Sequence, residues 1–164
     1  MPEIWLGRMG WIVRPMSLQD ARQVITWEYP EPYDVYNLAC TDEVLEELTA
    51  GSYRAAADGK TVCGFFCTGQ DARVPGGNYS DPALDVGLGL RPDLTGQGRG
   101  EAFVADILDY LQPTVPVRLT VASFNQRAQR CYGALGFETV GSFRASHGDF
   151  VLMRAVWQTG TPKA

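Results

Sequence analysis

The sequence predicts an α/β chain built on one mixed β-sheet. Three observations lead there. Segments of alternating or continuous apolar character take turns with segments whose apolar residues recur at helical spacing, in the order β-α-α-β-β-β-α-β-α-β-β. The length, 164 residues, and the ordinary apolar fraction suit a single domain spanning 1–164, with residues 1–8 read as an extension ahead of it. Finally, no internal repeat or low-complexity segment interrupts the alternation.

Gly10 to Pro15 reads as the first strand. Ser17 with Asp20 three residues later makes a capping box for a helix carrying Leu18, Ala21, Val24 and Ile25 at helical spacing. Pro30 and Pro32 deny regular structure to the stretch from Trp27 to Tyr36. Thr41 starts a second helix, with Asp42 and Glu43 in its favourable first turn. Ser52–Ala57 and Thr61–Thr68 form a hairpin about Asp58-Gly59-Lys60. A polar loop runs from Gly69 to Pro82, and Ala83–Leu90 is a strand ended by Arg91-Pro92-Asp93. A helix from about Gly98 carries Phe103, Val104, Ile107, Leu108 and Leu111 on one stripe and stops at Pro113. Val117–Ala122 is a strand, Asn125–Leu135 a helix closed by Gly136, and Phe137–Phe143 pairs with Asp149–Val156.

Composition narrows the function. A net charge of −5 argues against a general nucleic-acid surface. No apolar run approaches the ~20 residues that span a bilayer, and the N-terminal stretch lacks a signal peptide's cleavage pattern, so neither a membrane nor a leader is expected. Met9 is a second candidate start. Cys40, Cys63, Cys67 and Cys131 contain no CxxC pair, and His147 is the single histidine, so no metal site is expected. Cys63 and Cys67 read as small buried hydrophobes of a reducing, cytoplasmic setting.

Between the strand ending at Leu90 and the amphipathic helix lies Thr95-Gly96-Gln97-Gly98-Arg99-Gly100. A helix start offers unpaired N–H groups and partial positive charge, and glycines let a phosphate approach them. The spacing is not G-x-G-x-x-G, and no carboxylate ends the next strand, so a dinucleotide fold does not fit. Glu101 follows Gly100 where a P-loop needs Lys and Ser/Thr. Downstream, Asn125 can cap its helix, and Tyr132 lies two turns later on the same side, where each could reach a cofactor's arm and sulfur. Cys131 points about 100° away and reads as packing.

These residues resemble the GNAT superfamily of N-acetyltransferases. Its Q/R-x-x-G-x-G/A signature is met by Gly98 and Gly100, with Thr95 at the first position. Its N-x-x-A-x-x-x-Y-x-x-x-G-F pattern is met in full by Asn125, Ala128, Tyr132, Gly136 and Phe137. The resemblance covers about half the chain, from Ala83 to Val156. It implies a twisted central mixed sheet with about four helices, and acetyl-CoA as co-substrate. It implies a pyrophosphate cradle at Thr95, Gly96, Gln97, Gly98, Arg99 and Gly100. It also implies a pantetheine arm along Leu88, Gly89 and Leu90, contacts from Asn125 and Tyr132, and proton delivery to the leaving thiolate by Tyr132. The chemistry suits a phenol, whose pKa of ~10 lies somewhat above that of the thiol. Gly87 and Gly89 inside a strand fit a bulge or close ligand approach.

The expected activity is acetyl transfer from acetyl-CoA to a primary amine of a small molecule, peptide or protein. The competing expectation is a CoA-binding module without catalysis, acting as a sensor or interaction partner. The resemblance implies an acidic base for the attacking amine on the strand Ala83–Leu90; Asp85, on the alternating face of Gly87 and Gly89, is the expected one, with Glu28, Glu31 and Asp34 as other candidates. Trp27, Glu28, Tyr29, Tyr33 and Tyr36 are expected to wall the acceptor site, since aromatic faces and carboxylates suit a cationic amine. Residues 69–81 would form the opposite wall, and His147 marks a hairpin. Sheet edges and exposed aromatics leave room for a homodimer.

Overall fold

The computed structural model describes residues 5–158. The described residues hold one mixed eight-stranded sheet and four α-helices. The strands are β1 (Trp5–Leu6), β2 (Ile12–Pro15), β3 (Tyr53–Asp58), β4 (Thr61–Thr68), β5 (Leu84–Leu90), β6 (Val117–Ala122), β7 (Glu138–Ala145) and β8 (Gly148–Ala155). The helices are α1 (Leu18–Val24), α2 (Asp42–Leu48), α3 (Arg99–Leu111) and α4 (Gln126–Ala134). Strand order is β1-β2-β3-β4-β5-β6-β8-β7. β5 and β6 run parallel, whereas the β6–β8 and β7–β8 pairs are antiparallel.

The chain gathers into two compact units. Among the described residues, one comprises 5–67 together with Leu88–Arg99; the other comprises Thr68–Gly87 and 100–158. In the first, Ser17 and Asp20 complete the expected capping box of α1: the Asp20 amide donates to Ser17 Oγ at 3.0 Å and the Ser17 amide to Asp20 Oδ2 at 3.2 Å. Thr41 Oγ1 likewise caps α2 through the Val44 amide. These caps aim the apolar faces of both helices at a core of Met16, Ala21, Val24, Leu48, Ala55 and Val62. In the second unit, Phe103, Val104, Ile107 and Leu108 of α3 are buried, as the apolar stripe requires. So are Val117, Leu119 and Val121 of β6.

One element departs from the reading of the N-terminus as an extension. Trp5 and Leu6 pair with Val13 and Ile12 as a short edge strand. Residues 1–4 of that stretch lie outside the described residues. Two residues are too few to show an alternating pattern, so their pairing is decided by β2 rather than by local preference. Cys63 and Cys67 are buried on β4, as expected of small hydrophobes. No helix among the described residues is long and apolar enough to cross a membrane.

Candidate functional site

The glycine turn reaches the N-terminus of α3 through two left-handed residues. Gly96 has φ +71° and Gly98 φ +77°, conformations that side chains with a Cβ adopt only with strain. Pro92–Leu94 forms a single 3₁₀ turn before them. Thr95 Oγ1 donates to the Pro92 carbonyl at 2.7 Å, and Gln97 Nε2 to the Asp93 carbonyl at 2.7 Å. The side chains of Thr95 and Gln97 therefore brace the turn itself. The Thr95 hydroxyl thus shapes the turn by bonding to a carbonyl three residues back. The guanidinium of Arg99 donates to Gln97 Oε1. A Cβ added at Gly98, the residue before α3, would meet nothing within 4 Å, so open space lies beside it. Space, helix-start N–H groups and a guanidinium together fit a phosphate.

The same unit holds the end of β5 and the aromatic segment. Gly89 is required by a neighbour that the sequence does not reveal: a Cβ there would stand 2.6 Å from Cε1 of Phe65. The Leu90 carbonyl accepts from Tyr29 Oη at 2.5 Å. Trp27, expected in an acceptor wall, is half-buried and packs on the apolar core with its ring 5.9 Å from that of Phe65. Its indole is too apolar to stay in water while that core is within reach. Glu28 and Tyr36 are exposed, and Tyr29 and Tyr33 are half-buried. Tyr33 and Tyr36 bound a 3₁₀ turn, and Tyr36 meets the Tyr29 ring edge-on at 6.5 Å.

In the second unit, Asn125 is buried and its Oδ1 accepts from the Ala128 amide at 3.0 Å, capping α4. Tyr132 stands half-buried two turns along, its ring 6.2 Å from that of Phe137. Gly136, at φ +99°, lets the chain leave the helix so that Phe137 can do this. The first turn of α3 lies against α4: a Cβ on Gly100 would come 3.1 Å from Sγ of Cys131, the residue before Tyr132. The last glycine of the turn and the tyrosine helix are thus packed together, with Cys131 as the filler that the sequence suggested.

Asp85 is placed differently from the base expected of it. It is buried on β5 directly opposite Arg118 of β6. Arg118 Nε donates to Oδ1 at 2.7 Å and Nη2 to Oδ2 at 2.9 Å, and Arg73 Nε donates to Oδ2 at 2.8 Å. Both oxygens are committed to guanidinium groups, and the bidentate bond to Asp85 in turn raises the Arg118 pKa. Tyr79 covers the cluster, its ring 5.0 Å from the Arg118 guanidinium and 5.3 Å from that of Arg73. A base needs a lone pair turned toward its substrate, and three guanidinium N–H groups already occupy this buried carboxylate. The clue in the sequence is that Asp85 and Arg118 are each the one charge of an apolar strand, and a buried charge demands a partner. We expect Asp85→Asn to destabilise the fold by about 3–5 kcal/mol in a denaturant titration, since it leaves buried guanidinium charge uncompensated. A variant of parental stability with an altered pH–rate profile would restore the base.

Among the described residues, no group of three or more His, Cys, Asp or Glu is arranged to hold a metal ion.

The profile of the acetyltransferase (GNAT) family matches residues 18–137. No curated protein matches the chain. Several solved structures share its fold. A GNAT-family acetyltransferase of Bacillus anthracis superposes with a TM-score of 0.70 at 12% identity, covering 93% of this chain and 97% of its own. The aminoglycoside acetyltransferase AAC(6')-Ib, in complex with coenzyme A and kanamycin, gives 0.68 at 20% identity, covering 90% and 94%. Naa50 of Arabidopsis thaliana, in complex with the bisubstrate analogue CoA-Ac-MVNAL, gives 0.57 at 17% identity, covering 88% and 97%.

Proposed function

The chain belongs to the acetyltransferase (GNAT) family, and from that premise we propose that it transfers an acetyl group from acetyl-CoA to a primary amine of a small molecule, peptide or protein. The observation that carries this reading is the left-handed Gly96-Gln97-Gly98 turn opening onto α3, whose next glycine packs against the helix of Tyr132. Two similar structures support it by what they hold: one has coenzyme A with kanamycin, the other a CoA–peptide analogue.

When bound, acetyl-CoA supplies an activated carbonyl and a thiolate leaving group. The chain's residues do the rest. The amides at the start of α3 and the Arg99 guanidinium hold the pyrophosphate. Leu88, Gly89 and Leu90 orient the pantetheine arm with their main chain, and Asn125 caps the start of α4. As the nitrogen–carbon bond forms and the carbon–sulfur bond breaks, the amine loses a proton and the sulfur gains one. Tyr132 Oη donates the second of these. With Asp85 committed to two arginines, the exposed Glu28, Glu31 and Asp34 of the aromatic segment are the carboxylates that draw in the cationic amine and take its proton.

A thiol-release assay with a panel of amines tests the reading. Thiol should appear only with both acetyl-CoA and an accepted amine present. Tight CoA binding without turnover on any amine would favour a non-catalytic CoA-binding module instead.

A further inference from the structure

Tyr29 ties the aromatic segment to the last residue of β5, and Trp27 packs it on Phe65 of β4. Tyr29 Oη donates to the Leu90 carbonyl at 2.5 Å across 61 positions of sequence. Two residues earlier, Trp27 packs on the Phe65 ring, and that ring occupies the place where a side chain at Gly89 would stand. The hydroxyl is not carried on a loosely held side chain. The Tyr29 amide donates to Asn37 Oδ1 at 2.7 Å, and the Tyr36 ring closes on Tyr29 from the side. The strand end is fixed as well, by the Arg91 amide donating to the Cys63 carbonyl at 2.9 Å.

We infer that Tyr29 is a positioning residue, whose hydroxyl sets where the segment 27–36 stands against the last residues of β5, and so where the amine stands against the thioester. The inference rests on the N-acetyltransferase reading above and deepens it, because it names the bond that registers the acceptor wall to the strand orienting the acetyl donor. Burial pushes the Tyr29 phenol well above its ordinary range, so the donor keeps its proton at any working pH. Its hydrogen already bonds the Leu90 carbonyl, which suits a strut and not a proton relay. Loss of such a contact acts through alignment, and misplacement by about 1 Å can cost on the order of 100-fold in rate.

Tyr29→Phe keeps the ring and removes the bond. Two measurements decide. In the ligand-free protein, hydrogen exchange over residues 28–37 should quicken about fivefold, the worth of one hydrogen bond. In the assay, kcat/KM for the amine should fall about tenfold or more, with acetyl-CoA affinity by calorimetry unchanged. An amine kcat/KM equal to the parent's would overturn the inference. So would a fall matched by an equal loss of acetyl-CoA affinity, the mark of a merely structural role. If the parent turns over no amine at all, it is the transferase reading that fails. Exchange then still judges the tie, and parental exchange in the variant would sink it.

Discussion

Gly98→Val is expected to weaken acetyl-CoA binding by about 100-fold or more, read by calorimetry on the folded variant. Two costs combine. The residue sits at φ +77°, where a β-branched side chain is strained by about 1–3 kcal/mol. The branch also projects into the open space before α3, where the phosphate would approach the helix amides. Losing two charge-assisted hydrogen bonds there, at about 1.5–3 kcal/mol each, corresponds to about 100-fold or more at 1.4 kcal/mol per decade. No atom lies within 4 Å of the added Cβ, so the backbone strain is the cost to stability and the blocked approach is the cost to binding, read on the protein that folds. Unchanged affinity in a folded Gly98→Val protein would put the cradle elsewhere.

Tyr132→Phe is expected to lower turnover by about 10²–10⁴-fold, the usual worth of a positioned general acid, while acetyl-CoA affinity is largely kept. The phenylalanine preserves the ring's packing on Phe137 and the helix that carries it. Only the proton donor is removed. The deficit should shrink with thioesters whose thiols are more acidic, because such sulfurs leave without a proton. Stopped-flow thiol release on both proteins makes the comparison. Equal turnover would remove the assignment to Tyr132.

What was legible in the sequence follows from the range of the forces involved. The caps at Ser17, Thr41 and Asn125, the left-handed glycines and the limits of β6 depend on residues a few positions apart, and each can be read from its neighbours. The Asn125–Tyr132 spacing belongs to the same class. Contacts between distant strands did not show. Asp85 lies opposite Arg118 because β5 and β6 run side by side, and nothing near residue 85 names that partner. The glycine at 89 is likewise explained only by the ring of Phe65, which stands where its side chain would be. Trp27 and Tyr36 belong to one aromatic cluster in sequence, yet Trp27 packs half-buried on the core while Tyr36 stays outside. An aromatic cluster in sequence does not say which rings face inward until the opposing surface is known.

In the proposed reaction acetyl passes from the thioester to nitrogen. The most direct measurement is mass spectrometry of products formed from acetyl-CoA labelled in its acetyl group and a mixture of primary amines. The predicted result is a labelled amide, formed in amounts equal to the thiol released and lost in Gly98→Val. Label found on a hydroxyl or thiol of the acceptor, or bound acetyl-CoA with no labelled product, would contradict it.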